Sequence, residues 1–281
     1  MNTFERPNVD NGWCPGCGNF GILELLKRAM TELALDKRRV VFVSGIGQAA
    51  KTPHYLDVNL FNGLHGRALP VATAIKAADP GLIVVAEGGD GDMYGEGGNH
   101  FLAAARRNVN IVHLVHNNMV YGLTKGQASP TSRREFKTKV QVRGVHNEPF
   151  NPLTAAIALN ASFVSRVYMG HADHAVAVIK QAFLHPGYAL VDIFQPCVTF
   201  NKLNTYDWFE QNSYLLEGHD ESDRQKAFEK ASEEMPFALG VFYRHALPTL
   251  EENLWKPYGQ AAALREVRPD AALLQAEFDR L

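Results

Sequence analysis

The chain has only three cysteines among its 281 residues, Cys14, Cys17 and Cys197. Three thiols are too few for a disulfide framework, and a C-x-x-C pair in a reducing compartment favours metal or redox use. An excess of positive charge is also lacking, since 28 basic residues are balanced by 30 acidic ones, so we expect no nucleic-acid partner. No apolar run approaches the roughly 18 residues of a membrane span, and the first residues lack a basic-then-apolar pattern. We therefore expect a cytoplasmic protein without a membrane segment.

An alternation of strand-like and helix-like segments fills the first 200 residues. Apolar residues recur at helical spacing over residues 20–35, directly after the C-x-x-C pair. The runs "VVFVS" at 40–44, "LIVVA" at 82–86 and "VNIVHLVHN" at 109–117 are short and apolar without alternation, which is typical of strands covered on both faces. Helix-like stretches separate them. The pattern predicts an α/β fold with a mostly parallel sheet and helices on both faces.

The alternation stops near residue 200, and the remaining sequence is more highly charged. We therefore expect a first domain over residues 1–200. Residues 201–281 are expected to form an irregular C-terminal extension that packs on this domain or on a partner subunit.

The stretch "LIVVAEGGDGDMYGEGGNHF" places Asp90, Gly91 and Asp92 between a buried strand and a helix. In open parallel sheets, ligands bind outside the carboxyl ends of the strands. Glycines let the backbone approach a ligand closely, and a helix N-terminus suits phosphate oxygens. A lone G-D-G is a weak signal, because Gly/Asp clusters most often form only a turn.

A second polar pair strengthens this signal. Twenty-five residues separate Gly91 from Asn117 and Asn118, which follow the next buried strand. Carboxylate, amide and backbone carbonyl oxygens are ligands that Mg²⁺ prefers. We therefore predict a magnesium site made by Asp90, Asn118 and the carbonyl of Val120, together with phosphate oxygens of a ligand.

With these motifs the chain resembles the thiamine-diphosphate enzymes, whose signature is G-D-G, some two dozen residues, and N-N. Within them it is most similar to the β subunit of 2-oxoacid:ferredoxin oxidoreductases. The stretches "WCPGCGNFGIL", "VFVSGIGQAAKTPHYLDVNLFNGLHGRALPVATAIK", "GGDGDMYGEGGNHFLAAARRN" and "HNNMVYGLTKGQASPTS" carry the resemblance. The resemblance implies a set of residues around the diphosphate: Ile46, Gly47, Gln48, Ala49, Leu64, His65, Gly66, Arg67, Gly91, Asp92, Gly122 and Leu123.

The same resemblance implies a [4Fe–4S] cluster held by cysteines, of which Cys14, Cys17 and Cys197 are matched. The fourth cysteine usually follows G-I-G, where this chain has Gln48. An amide oxygen is a poor ligand for a soft metal, so water, His54, another side chain or a partner chain would complete the site. The competing interpretation is that the cluster is lost and the cysteines are relics or bind Zn²⁺ with a histidine.

The family's reaction is the coenzyme A-dependent oxidative decarboxylation of a 2-oxo acid, with electrons passing through the cluster to ferredoxin; the reverse direction fixes carbon dioxide. The resemblance also implies that the companion α subunit supplies the carboxylate that activates the cofactor, so the chain alone should be inactive. Two alternatives stay open. The C-x-x-C and Cys197 argue against a non-redox thiamine enzyme such as a decarboxylase, and the G-D-G and N-N pair argues against a non-catalytic iron–sulfur electron carrier.

Lys125 in "YGLTKGQ" is a candidate for substrate choice. A loop lysine is usually solvated and serves no site. Leu123 and Gly122 are nevertheless expected to contact the cofactor, which would hold Lys125 close to the substrate. A cation there would bind the distal carboxylate of 2-oxoglutarate, which pyruvate does not have. We therefore predict 2-oxoglutarate as the substrate, with pyruvate or another 2-oxo acid as the alternative.

Overall fold

The computed structural model describes residues 4–256 and 271–280. The strands are β1 (Val40–Ser44), β2 (Asn59–Asn62), β3 (Ile83–Gly89), β4 (Val112–Asn117), β5 (Phe163–Tyr168), β6 (Ala189–Phe194), β7 (Ser213–Leu215) and β8 (Phe237–Arg244). The α-helices are α1 (Asn19–Glu32), α2 (Ala68–Ala78), α3 (Gly98–Arg107), α4 (Pro152–Ala158), α5 (Ala172–Leu184), α6 (Tyr206–Gln211), α7 (Arg224–Ala231), α8 (Leu250–Trp255) and α9 (Ala271–Phe278). Short 3-10 helices lie at Lys37–Arg39 and Ala49–Tyr55, and a π-helical turn lies at Gly91–Glu96.

The eight strands form one sheet in the order β2-β1-β3-β4-β6-β5-β8-β7. All neighbouring strands are parallel except β5 and β8, which are antiparallel. Parallel neighbours need long crossover connections, and here helices supply several of them. Helices α1 and α5 pack in the apolar core that contains Phe42 and Val85, whereas α2, α3 and α4 pack in the core that contains Val41 and Val84. The predicted α/β class, with helices on both faces of a mostly parallel sheet, is confirmed.

Local predictions agree with the structure to within a few residues. Strand β1 has the predicted bounds, and α1 begins at Asn19, one residue before the predicted start. Strand β3 continues to Gly89, three residues past the predicted apolar run. The extension occurs because Glu87 is fully buried beside His116 and does not end the strand. The G-D-G motif therefore begins directly at the carboxyl end of a central strand.

The C-terminal part is more regular than we expected. Strand β8 pairs with β5, and β7 pairs with β8, so residues beyond 200 extend the central sheet. Six consecutive residues of β8 are buried, from Ala238 to Tyr243. The charged residues on both sides of β8 hid this apolar run from the sequence pattern. Residues 257–270 and 281 of the predicted extension lie outside the described residues.

No helix in the described ranges is both long enough and apolar enough to cross a membrane.

Candidate active site

A cleft lies where β1, β3, β4 and β6 end, and it encloses about 830 Å³ of empty space with its open mouth included. Because the strands are parallel, their carboxyl ends bring the loops that follow them to one edge of the sheet. Most of the predicted site residues line this cleft: Cys14, Cys17, Ile46, Gly47, Gln48, Ala49, His65, Asp90, Gly91, Asp92, Asn118, Val120, Gly122, Leu123 and Cys197. Residues from several separate segments of the sequence thus meet in one place.

Four predicted residues are not part of the cleft wall. Leu64 is 74% exposed, and Lys125 is also exposed, on the loop that carries Leu123. Gly66 is buried behind the wall with a φ of +69°, and a Cβ there would lie 2.4 Å from the backbone carbon of Glu96. Only glycine fits this close approach of two backbones. Arg67 precedes α2 directly.

Asp90 is a deeply buried carboxylate at the base of the cleft. It is 1% exposed, and among the described residues it forms no ion pair with a lysine, arginine or histidine. Its Oδ2 accepts a hydrogen bond of 2.6 Å from the hydroxyl of Thr131. Burial raises the pKa of Asp90 to about 6. A carboxylate in this environment is stabilised by a metal cation, which would supply the missing positive charge.

Asn118 lies on the loop after β4, with its amide oriented by neighbours. Its Nδ2 donates to Oε1 of Gln195 at 3.1 Å, and its Oδ1 accepts the backbone N–H of Val120 at 3.1 Å. Met119, between them, has a φ of +57°, so the loop turns sharply after the strand. A carbonyl oxygen has two lone pairs, so one on Oδ1 is available for a cation.

Asp92 joins two loops of the cleft. Its Oδ1 accepts the backbone N–H of Gly66 at 2.7 Å and that of Ile46 at 3.3 Å. A Cβ on Gly45 would lie 2.2 Å from Oδ2 of Asp92, so a glycine is needed for the carboxylate to fit. Burial is the main cause that raises the pKa of Asp92, and the N–H donor at Gly66 opposes it. The side chain predicted to contact the diphosphate thus binds the backbones of two loops around it.

The three cysteines all line the cleft, although they come from opposite ends of the first 200 residues. Burial raises the pKa of Cys17 to about 11, and the charges of Cys197 and Cys14 add to this effect. Among the described residues, no group of three or more His, Cys, Asp or Glu side chains is arranged to hold a single metal ion. The iron–sulfur assignment of the cysteines stays a prediction.

Gln48 places an amide side chain where the family usually has the fourth cysteine ligand of the cluster. Gln48 lines the cleft, and its Oε1 is buried without a hydrogen-bond partner in the described chain. Its backbone carbonyl accepts the indole N–H of Trp13 at 2.7 Å, which attaches this loop to the segment before the C-x-x-C pair. His54, considered as an alternative ligand, is exposed and does not line the cleft.

Sequence reasoning missed several residues of the wall, among them Trp13, Asn19, Tyr121, Gln195 and Phe200. Gln195 could most easily have been found from the sequence, because it directly follows β6 and stands two residues before Cys197. The rule that selected Asp90 and Asn118, a polar side chain directly after a buried strand, also selects Gln195. Trp13 and Phe200 carried no such signal.

Comparisons with known proteins agree with this geometry. The family model described as "Thiamine pyrophosphate enzyme, C-terminal TPP binding domain" matches residues 40–193. A second family model, for the C-terminal part of the pyruvate ferredoxin oxidoreductase beta chain, matches residues 197–257. The first range contains Asp90, Asn118 and both loops that Asp92 joins, and the second begins at Cys197.

The chain is similar to "2-oxoacid:ferredoxin oxidoreductase 1, subunit beta" of Aeropyrum pernix, with 44% identity over 263 residues that cover 89% of this chain and 83% of the relative. It is also similar to "2-oxoglutarate synthase subunit KorB" of Archaeoglobus fulgidus, with 35% identity over 256 residues that cover 91% and 92% of the two chains.

A solved structure, "2-oxoglutarate:ferredoxin oxidoreductase from Magnetococcus marinus with 2-oxoglutarate, coenzyme A and succinyl-CoA bound", has a similar fold. The TM-score is 0.92 at 38% sequence identity, and the match covers 98% of this chain and 94% of that chain. The cleft, the two family models and these relatives lead to one conclusion: the chain belongs to the family of 2-oxoacid:ferredoxin oxidoreductase beta subunits.

Proposed function

We propose that this subunit binds thiamine diphosphate, Mg²⁺ and an iron–sulfur cluster, and that its complex decarboxylates 2-oxoglutarate oxidatively. The observation that carries the proposal is one cleft in which Asp90, Asn118 and three cysteines meet. In the overall reaction, the bond between the carboxylate carbon and the keto carbon breaks, and carbon dioxide leaves. A bond then joins the keto carbon to the sulfur of coenzyme A, while two electrons pass to ferredoxin and a proton is released.

The residues present fit Mg²⁺ and a diphosphate. Asp90 is a buried carboxylate with no basic side chain paired to it in the described ranges, and Asn118 holds an amide oxygen in the same wall. With the carbonyl of Val120 these groups form the oxygen-rich ligand set that Mg²⁺ prefers. A Cβ on Gly47, whose φ is +124°, would meet no atom within 4 Å, so there is open space for a ligand against this backbone.

The chain's own residues would hold and orient the cofactor. Backbone groups of residues 46–49, 64–67, 91–92 and 122–123 are the proposed diphosphate contacts. Thiamine diphosphate supplies, when bound, a nucleophilic carbon and an electron sink for the decarboxylation of a 2-oxo acid. Asp92 keeps two of these loops at a fixed separation, and Thr131 holds Asp90 in place through the 2.6 Å hydrogen bond.

The cysteines fit a cluster better than a single ion. Thiolates are the ligands of iron–sulfur clusters, and a cubane separates its cysteine sulfurs more widely than one tetrahedral ion does. This spacing is compatible with three thiols that share one cleft without forming a compact single-ion site. We propose Cys14, Cys17 and Cys197 as three ligands, with a ligand other than cysteine at the fourth iron because Gln48 stands at that position.

The partner assignments follow from the family. A beta subunit implies an α subunit, which we propose as the source of the carboxylate that activates the cofactor and as the second wall of the substrate pocket. Two exposed apolar side chains, Leu64 and Leu123, lie on loops at the cleft and are suited to contact with a partner subunit. Ferredoxin is the proposed electron acceptor, and coenzyme A the acyl acceptor.

Lys125 supports 2-oxoglutarate over pyruvate. It follows Thr124, which lines the cleft, and its ammonium group has no ion-pair partner in the described chain. In the assembled complex the substrate would lie between the two subunits. The ammonium group of Lys125 would then contact the distal carboxylate of 2-oxoglutarate. A partly desolvated contact of this kind contributes roughly 1.5–3 kcal/mol.

The test is anaerobic purification of the complex with its α subunit, followed by analysis of iron, sulfide, Mg²⁺ and thiamine. We expect one thiamine diphosphate and a stoichiometric amount of iron and sulfide per beta subunit, with succinyl-CoA formed from 2-oxoglutarate. Zinc in place of iron would disprove the cluster assignment. Thiamine diphosphate without iron or sulfide would favour a non-redox decarboxylase instead.

A further inference from the structure

Gln195 lies between the proposed magnesium site and the proposed cluster ligands. It directly follows β6, is 1% exposed and lines the cleft. Its backbone N–H donates to the carbonyl of Asn117 at 3.0 Å, which continues the pairing of β6 with β4 by one residue. The side chain is therefore held by a rigid strand end.

The contacts of Gln195 define which end of its amide faces each site. Nε2 donates to the carbonyl of Pro196 at 2.8 Å and lies 3.6 Å from Sγ of Cys17. Oε1 accepts from Nδ2 of Asn118 at 3.1 Å. Because the Pro196 carbonyl can only accept, the nitrogen must lie on that side, and the oxygen must face Asn118. One side chain thus contacts a proposed cluster ligand with its donor and a proposed Mg²⁺ ligand with its acceptor.

The backbone segment around Gly18 leaves space for the side chain of Gln195. A Cβ on Gly18 would lie 2.8 Å from Cγ of Gln195 and 3.2 Å from Cδ of Pro196. Gly18 directly precedes α1 and follows Cys17, so a larger residue there would push Gln195 away from the sulfur. The glycine of "CPGCG" therefore permits the contact between the two sites.

We propose that Gln195 is a positioning residue that makes the cluster easier to reduce and holds the Mg²⁺ ligand Asn118 in its binding orientation. This inference rests on the proposed function, since it requires both cofactors. An N–H donor to a cysteine sulfur stabilises the extra negative charge of a reduced cluster and raises its reduction potential. The backbone N–H of Asn19 also donates to Cys17, so removal of Gln195 leaves one donor in place.

The second role concerns the amide of Asn118. Because Gln195 accepts from Nδ2, the oxygen of Asn118 is fixed at the other end of the amide, where it accepts from Val120 and keeps a lone pair. Without this acceptor the amide can turn and present its N–H groups, which cannot bind a cation. Loss of Gln195 therefore weakens binding of Mg²⁺ and thiamine diphosphate.

Two variants separate these roles in the assembled complex. Gln195→Met keeps the length of the side chain but loses both contacts, so we expect a more negative cluster potential and weaker binding of Mg²⁺ and thiamine diphosphate. Gln195→Glu keeps an acceptor for Asn118 and loses the donor to Cys17, so we expect the potential to fall while thiamine diphosphate binding stays within about threefold. Gln127→Glu, on the loop beside the cleft, makes the same charge change away from the sulfur and is the matched control.

The measurements are a dithionite titration followed by electron paramagnetic resonance, and calorimetric titration with thiamine diphosphate and Mg²⁺. We expect Gln195→Met to change the equilibrium between oxidised and reduced cluster about tenfold, which is about 59 mV for one electron. A cluster potential in Gln195→Met equal to that of the wild type would overturn the inference about Gln195 alone. Absence of an iron–sulfur signal from the wild-type complex would overturn the proposed function and this inference together.

Discussion

Oδ1 of Asp92 lies 2.7 Å from Nδ1 of His65, so the carboxylate that joins two loops also contacts a histidine in the cleft wall. The same Oδ1 accepts the backbone N–H groups of Gly66 and Ile46, so a histidine and two loop backbones converge on one oxygen. Asp92 is almost fully buried and His65 is 35% exposed at the side chain. The pair therefore connects the interior of the protein with the space where the diphosphate is proposed to bind.

Asp92→Asn should weaken thiamine diphosphate binding about tenfold, because loss of the charge weakens the hydrogen bonds that Asp92 accepts from the backbones of Gly66 and Ile46 and so loosens two loops of the cleft. Charge alone would have the opposite effect, since a carboxylate repels a diphosphate. Calorimetric titration of the assembled complex measures the change. Glu96→Gln, which removes an exposed carboxylate 3.5 Å from His65, is the control. Tighter binding by Asp92→Asn would contradict the positioning role.

Asp90→Ala should abolish retention of thiamine diphosphate in the assembled complex, because Mg²⁺ loses its charged ligand and the diphosphate then lacks its counter-ion. Cofactor content after gel filtration measures the loss. Asp220→Asn removes an exposed carboxylate that bonds to neighbouring Ser222 in its loop, and it should keep the wild-type content. Full cofactor occupancy in Asp90→Ala would show that the metal site is elsewhere.

Lys125→Ala in the complex should lower kcat/KM for 2-oxoglutarate about tenfold to a hundredfold and leave pyruvate-like acids unaffected. The reason is the loss of the cation for the distal carboxylate, which smaller acids do not have. Lys137→Ala, an exposed lysine on the next loop, controls for a general change in surface charge. Equal losses for both substrates would mean that Lys125 serves the cofactor or the fold.

The buried histidine His113 should make the folded protein less stable in acid. His113 is fully buried, and burial lowers its pKa to about 3, whereas an unfolded histidine titrates near 6.5. The unfolded state therefore binds the proton first, so stability present above pH 6.5 is lost as the pH falls from 6.5 towards 3. The expected loss is about 2 kcal/mol between pH 7 and pH 5.

His113→Gln should remove this part of the pH dependence, because glutamine does not titrate and can still bond to the Tyr188 hydroxyl, which lies 2.6 Å from Nδ1 of His113. Urea unfolding of the wild type and the variant at pH 7 and pH 5 measures the difference. If the free energy of unfolding falls equally in both proteins between pH 7 and pH 5, another group is responsible for the acid sensitivity.

The sequence predicted the parts of the fold and site that depend on short patterns. Buried runs such as Val40–Ser44 mark parallel strands because both faces are covered, and the polar residues after β3 and β4 meet because parallel strands end at one edge. The pattern did not predict β8, because its charged flanks masked a buried run and its partner β5 is distant in sequence. It also did not predict that Asp92 joins two loops, because its contacts with Gly66 and Ile46 are long-range and have no local signal.

Strand β8 lies antiparallel beside β5 and comes from the last part of the described sheet to be synthesised. Until the ribosome releases residues 237–244, one edge of β5 has unpaired backbone groups in a strand whose residues are all buried in the final fold. Exposed apolar edges of this kind can pair with other chains and promote aggregation. A shortened chain that ends near residue 200 should therefore be prone to inclusion bodies during expression, even though every proposed cofactor ligand lies before that point.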